Sequence, residues 1–364
     1  MLAGLDEALR EPHPLAFLHW ASALVSALDP RRHSPFGGTD SPLPSLPELC
    51  GMFLEVGQRQ TDALLLVLAR MQDDELLAAR IRREVAERRH PLPGWIIRLD
   101  LVEPYRTVEM THVLGDGDNI VIGVRLPGGR ECSVLVYIDH NLGTVVKDAF
   151  VLDRPIAESV DAWTRLDPGD GTDVRDLPLA DARAKITEAI ETGAATFPPF
   201  ETETWPASRP LTEWVLSLLP EGGTGYLRQE WADKELTDLS NEFFASAFAQ
   251  ELDDDANRMM VQPLLAFGLD YGPGDPLRWS PVAVEILLMD WIPRKLAMPA
   301  EDLLLVPELL RALIRYSHAV RGISPELTAQ TVASLDEFEP EFLEAVHDPQ
   351  REEHAQLLQH FAES

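Results

Sequence analysis

Apolar and polar positions recur with two different periods along this chain, and the change of period divides it. Over residues 1–98 the spacing is helical. Leu18, Ala21, Val25 and Leu28 share one face, and Phe17, Trp20 and Leu24 widen it until the segment is apolar nearly all round, the pattern of a buried helix. Asp29 to Ser45 is rich in proline and glycine and predicts a loop. Helical runs follow at 46–56 and 61–71. The next helix is punctuated at both ends: Asp73, Asp74 and Glu75 suit the positive end of a helix dipole, Arg88, Arg89 and His90 suit the negative end, and Pro91 stops it. Its charges sit four apart, Arg80 with Glu84, Arg83 with Glu87 and Glu84 with Arg88, so they predict a salt-bridged, solvated face.

Between 105 and 152 the period drops to that of strands. VEMTHVL, NIVIGVRL, ECSVLVYID and TVVKDAFVL are separated by GDGD (115–118), PGG (127–129) and DHNLG (139–143). Turns this short force antiparallel neighbours, so the four segments predict a meander. In the third, Cys132, Val134, Val136 and Ile138 make a plainly apolar face that a helix should cover. Beyond it, short helices near 157–166 and 179–192 flank the acidic glycine loop LDPGDGTDVRD, and FPPFETETWPASRP predicts stiff, extended chain. Helical spacing then returns, with Leu236, Leu239, Phe243, Ala247 and Phe248 on one stripe. Ser280-Pro281 and Ser324-Pro325 are expected helix starts, with helices near 281–291, 301–320 and 325–346.

The expected fold is therefore α+β and predominantly helical. Residues 1–98 form a helical region. Residues 99–195 carry a small four-stranded antiparallel sheet and packs with it as one α+β domain; 196–208 is a proline-rich linker, and 209–364 an all-helical domain.

Composition changes this picture in one respect. Sixty-one acidic against thirty-one basic residues leave a formal net charge of −30. Such a surface repels phosphate backbones and anionic lipid, so nucleic acid and membrane are disfavoured, and a basic protein partner is favoured. The run AARIRREVAERRH does not reverse this, because its glutamates lie at pairing distance. The N-terminus lacks a signal-peptide pattern, and the apolar stretch Leu15 to Leu28 is too short and too interrupted for a membrane span. Cys50 and Cys132 are the only cysteines, too few for a disulfide scaffold or a four-sulfur zinc site. Together these predict a cytoplasmic protein with buried free thiols.

The segments DYGPGDPLRWSPVAVEILLMDWIPRK (270–295), VYIDHNLGTVVKDAF, DPRRHSPF and ARIRREVAERRHPLP resemble a group of uncharacterised actinobacterial proteins. The resemblance implies a bacterial source and no activity, cofactor or site residue.

Motifs that would commit the chain to a reaction are missing: GxxxxGK[ST], GxGxxG, GxSxG, HExxH and CxxC do not occur. The polar residues near the sheet are the remaining candidates. Asp139, His140 and Asp148 are candidate catalytic groups. His112 with Asp116 and Asp118, and Asp167 with Asp170 and Asp173, are candidate metal ligands, since hard oxygens at alternate positions suit calcium. A hairpin at 139–143 places Asp148 opposite about Val136, roughly 13 Å from His140, so the two should not share a site. Asp139 and Asn141 have an ordinary use as turn hydrogen-bonders. Trp205 and Trp291, each beside a proline, are candidate partner-binding aromatics. The leading expectation is a non-enzymatic interaction or regulatory protein without a cofactor. The alternatives are an enzyme, in one form a metal-dependent hydrolase, with its site at the sheet rim, and an acidic nucleic-acid mimic.

Overall fold

The computed structural model describes residues 2–29, 44–72, 74–166, 171–196, 202, 204–272 and 274–348. Most of the loop expected at 29–45, and Asp167 and Asp170, lie outside the described residues. The fold is α+β and mostly helical, as the change of period predicts.

The sheet comprises β1 (Glu103–His112), β2 (Gly117–Leu126), β3 (Arg130–Asp139), β4 (Val145–Leu152) and β5 (Thr172–Leu177), in the order β4-β3-β2-β1-β5, all antiparallel. The first four form the expected meander. The fifth is a correction to the expected count. TDVRDL carries almost no apolar alternation and reads as loop, yet it pairs with β1, Glu109 opposite Arg175 and Met110 opposite Val174. An edge strand needs only one hydrogen-bonded neighbour, and charged side chains on its free side deter further pairing.

Both faces of the sheet are covered. Ile120, Ile122, Val124, Val134, Val136 and Ile138 pack into a core shared with the N-terminal helices. These are α1 (Leu2–Arg10), α2 (Leu15–Ala27), α3 (Leu46–Val56), α4 (Arg59–Leu68), α5 (Glu75–Arg88) and α6 (Gly94–Ile97). On the opposite face Val108, Met110, Val121 and Leu135 meet Ile156 of α7 (Ile156–Leu166). Within α5, Asp74 caps the first turn by accepting from Leu77 N at 2.9 Å, and the Arg80–Glu84 pair forms at 2.7 Å. Arg88 does not pair with Glu84. It turns inward to the buried Asp62, at 2.5 Å, which also bonds His90.

Of the linker expected at 196–208, residues 197–201 and 203 lie outside the described residues, and 205–208 are helical. α8 (Leu179–Ala194) is followed by α9 (Trp205–Ser217), whose Trp205, Leu211, Trp214 and Val215 are buried in the first core. α9 lies against α2. Pro210 sits inside α9, and the neighbouring ladder bond is replaced by a side chain: Ser22 Oγ accepts from Leu211 N (3.1 Å) and donates to Ala207 O (2.6 Å). The hydroxyl thus occupies the gap between a carbonyl and the amide four residues on, stitching α9 to the N-terminal helices. The real connector is 220–232, which has no regular structure and crosses α8. Gly223 permits the crossing, since a Cβ there would lie 2.0 Å from Ala180 O. Asp181 and Glu188 of α8 accept from Thr224 N (2.7 Å) and Tyr226 N (2.9 Å).

A second core, including Phe243, Phe244, Trp279, Leu310 and Phe342, holds the remaining helices. They are α10 (Asp233–Ala245), α11 (Asp255–Asp270), α12 (Pro281–Glu285), α13 (Ile292–Lys295), α14 (Ala300–Leu303), α15 (Val306–Arg321) and α16 (Pro325–Val346), with a π-helical turn at Ile286–Trp291. Both expected serine caps form, Ser280 accepting from Ala283 N and Ser324 from Leu327 N. No helix among the described residues is long and apolar enough to cross a membrane.

Candidate functional site

The second core docks on one end of the sheet. Ser280 Oγ and Asn141 Nδ2 both donate to Asp116 Oδ1, at 2.5 and 2.7 Å, and Leu114 packs on Ile323 and Leu327. Between the sheet end, α8, the 220–232 connector and the C-terminal helices a cleft of about 1020 Å³ remains open.

Alternation along β1 and β2 decides which polar groups enter it. Val108 and Met110 face α7, so Glu109 points the other way; Asp118 shares the face of Ile120 and Ile122. Glu109 is fully buried there. Lys185 of α8 holds one of its oxygens at 2.6 Å and Arg175 of β5 the other at 2.6 Å. The Lys185 ammonium also lies 4.6 Å from the Tyr226 ring centroid.

Beside this pair runs a continuous chain of hydrogen bonds. Tyr226 OH donates to Asp118 Oδ2 (3.1 Å), and His140 Nε2 meets the same oxygen at 3.0 Å. His140 Nδ1 lies 3.2 Å from Thr144 Oγ1, and Arg228 Nη2 donates to that oxygen at 3.3 Å. Asp118, His140 and Thr144 are all buried. Because Asp118 accepts, the neutral imidazole carries its proton on Nε2, leaving Nδ1 to accept from the Thr144 hydroxyl. Thr144 is held at φ 64°, a left-handed conformation that β-branched residues avoid. Among the described residues Arg228 meets only neutral acceptors, Thr144 and Gly272 O. Thr172 Oγ1, in the cleft wall, is buried without a hydrogen-bond partner among them.

The two nearby carboxyls are driven in opposite directions. Burial is the largest influence on Asp116 and, helped by the charge of Asp139, it outweighs the Asn141 and Ser280 bonds and raises its pKa. Burial also pushes Asp118 upward, but the hydrogen bond and charge of His140, the Tyr226 hydroxyl and Lys185 together prevail and lower it. Desolvation, with the charge of Asp118 next, raises the Tyr226 hydroxyl well above the usual tyrosine range.

These directions set opposite signs for two neutralising substitutions. A carboxyl whose folded pKa is raised opposes folding above that pKa, and the penalty fades as pH falls to the unfolded value. One whose folded pKa is lowered supports folding above the unfolded value, and that support is lost as pH falls through the folded pKa. Asp116→Asn keeps an acceptor for Ser280 and Asn141, so it is expected to raise the melting temperature at pH 7. Asp118→Asn is expected to lower it. Both differences should shrink towards pH 3 in thermal melts.

Of the residues singled out from sequence, the structure brings His140 and Asp118 into direct contact. His112 and Asp173 line the same cleft. Among the described residues no group of three or more His, Cys, Asp or Glu is arranged to hold a metal, and Asp116 and Asp118 are instead committed to hydrogen bonds. Asp139 serves the turn, accepting from Leu142 N (3.1 Å) and pairing with Lys147 (2.8 Å). Asp148, opposite Tyr137, bonds Thr204 and its neighbour's amide Ala149 N, away from the cleft. Trp205 is 2% exposed, so it offers no surface for partner binding, whereas Trp291 is partly buried, packing edge-on against Phe267 at the border of the second core. Tyr226, Arg228, Lys185 and Thr144 were not visible as site residues. The first three come from a connector and a helix that only tertiary packing brings to the sheet, and Thr144 is an unremarked turn residue.

No protein-family model matches the chain, and comparison with curated proteins and with solved structures finds no match. The chemistry is therefore read from the geometry.

Proposed function

We propose that the chain is an enzyme whose cleft at the sheet rim carries out acyl transfer or hydrolysis, with Thr144 as nucleophile, His140 as general base and Asp118 as the group that orients the imidazole. The observation that carries this reading is the Thr144 hydroxyl held at His140 Nδ1 by a backbone in a left-handed conformation. Strain of this kind, on the order of 1–3 kcal/mol, persists only where surrounding structure enforces it, and it clusters at sites that use it.

The three groups meet the geometric requirement for an activated hydroxyl: nucleophile and base within hydrogen-bond reach, and the base fixed by a third group. Thr144 Oγ1 attacks the carbonyl carbon of an ester or amide while its proton passes to His140 Nδ1. The imidazolium formed is stabilised by Asp118, whose lowered pKa keeps it ionised. His140 then protonates the leaving group as the carbon–heteroatom bond breaks. Water, deprotonated by His140, releases the acid and restores the hydroxyl. Arg228, at the Thr144 oxygen, supplies positive charge beside the developing oxyanion. The unpartnered Thr172 hydroxyl gives a bound substrate a hydrogen-bonding group in the wall.

Of the two aromatics expected to serve a protein partner, Trp205 is buried in the first core and Trp291 is partly buried against the second. The test is covalent. Incubation with p-nitrophenyl acetate or a fluorophosphonate should place a mass adduct on the peptide containing Thr144, and His140→Ala should suppress it. An adduct absent from Thr144, or formed at the same rate without His140, would count against the assignment.

A further inference from the structure

Sharing no lining residue with the cleft, a separate pocket of about 300 Å³ lies among α4, α5 and α6. We propose that it binds a small amphipathic carboxylate, an aliphatic chain of roughly eight carbons or a ring of similar size with one anionic head.

The pocket's composition runs against that of the protein. Its floor is apolar, with Leu66, Ala69, Val85 and Ile96, and Arg70, Arg82 and Arg89 complete the lining together with His90. Among the described residues no carboxylate lines it, although acidic residues outnumber basic ones by 61 to 31 in the chain. The arginines of α5 are sorted between two uses. Arg80 is paired with Glu84 and Arg88 with Asp62, so their charges are neutralised within the protein. Among the described residues Arg70, Arg82 and Arg89 make no ion pair, and Arg82 donates only to a backbone carbonyl of its own helix, Ala78 O at 3.1 Å. Arg89 ends α5 at φ 55°, a left-handed conformation uncommon for a residue with a Cβ, and lines the pocket from the helix terminus. Ile97, 63% exposed, lines the pocket as well, an apolar surface that a ligand's tail would cover.

An apolar cavity with unneutralised guanidinium groups selects for a molecule with both characters. A carboxylate accepts two parallel bonds from one guanidinium, and the tail gains from leaving water. Inorganic phosphate supplies only the charge and an alcohol only the tail. The volume, at the lower end for ligand pockets, excludes a folded partner's side-chain cluster and suits a single short chain.

Isothermal titration of the full chain with octanoate, octan-1-ol and inorganic phosphate tests this. Octanoate is expected to bind at one site, and the alcohol and phosphate each more than about tenfold more weakly. Hexanoate should bind about fifteenfold more weakly than octanoate, since each of the two missing methylenes contributes about fourfold. The R82A/R89A double variant, which removes two exposed side chains and leaves the core untouched, should lose at least about tenfold. A86F, which fills the pocket, should abolish binding, whereas His140→Ala in the cleft should leave it unchanged. Equal affinity for octanoate and octan-1-ol, retained affinity in R82A/R89A, loss of binding on His140→Ala, or no saturable binding below about 10 mM would each overturn the proposal.

Discussion

Glu109→Ala is expected to destabilise the protein by about 3 kcal/mol, the cost of breaking a buried ion pair from one side. Glu109 is fully buried, and Lys185, its partner at 2.6 Å, is itself largely buried on α8. Removing the carboxylate takes from the ammonium its partner at 2.6 Å and leaves it beside the Tyr226 ring, with Asp118 as a longer-range counter-charge. Arg175 contributes much less, because it is more than half exposed and can turn to water. The loss should appear as a lower urea midpoint with little change in slope. Glu109→Leu combined with Lys185→Met should recover most of it, since the pair is then replaced by apolar groups of similar volume. If the single alanine variant unfolds at the same urea concentration as the parent, the pair does not hold α8 to the sheet.

Such a variant also tests how the cleft is built, because the parts it joins were legible to different degrees. The meander could be read from the sequence because strand-like segments alternated and short turns left only antiparallel neighbours. The expected pairing of Asp148 opposite about Val136 differs by a single residue from the actual partner, Tyr137, the shift falling at an irregularity between Tyr137 and Ile138. β5 was not legible, because an edge strand of charged residues has no buried period to display. That α9 joins the first core was hidden for a related reason. Proline-rich sequence around Trp205 suggested a linker, but Ser22, far away in the chain, supplies the hydrogen bonds that let α9 tolerate Pro210 and join the first core. The irregular segment 220–232 that follows α9 carries Tyr226 and Arg228 to the sheet. A histidine and an aspartate near turns could be nominated from sequence, and His140 and Asp118 were. Their partnership could not, because it spans two turns on neighbouring hairpins. The φ of Thr144 leaves no trace in residue type, since threonine is among the residues least suited to it.

His140→Ala is expected to lower kcat/KM for p-nitrophenyl acetate by about 10²–10⁴-fold, the usual share of a general base. Asp118→Asn should fall in the same range, because its amide can donate as well as accept and no longer fixes the imidazole with Nδ1 free. Thr144 separates chemistry from structure. Thr144→Ser keeps the hydroxyl and should retain measurable turnover, while Thr144→Gly removes it. In the glycine variant, relief of the left-handed strain at φ 64° is worth about 1 kcal/mol. The lost hydrogen bond to His140 costs about the same. The two nearly cancel, so Thr144→Gly should melt close to the parent while losing activity to the level of His140→Ala. A hydroxyl whose only task was to join the turn to Arg228 would leave esterase turnover undiminished in Thr144→Gly.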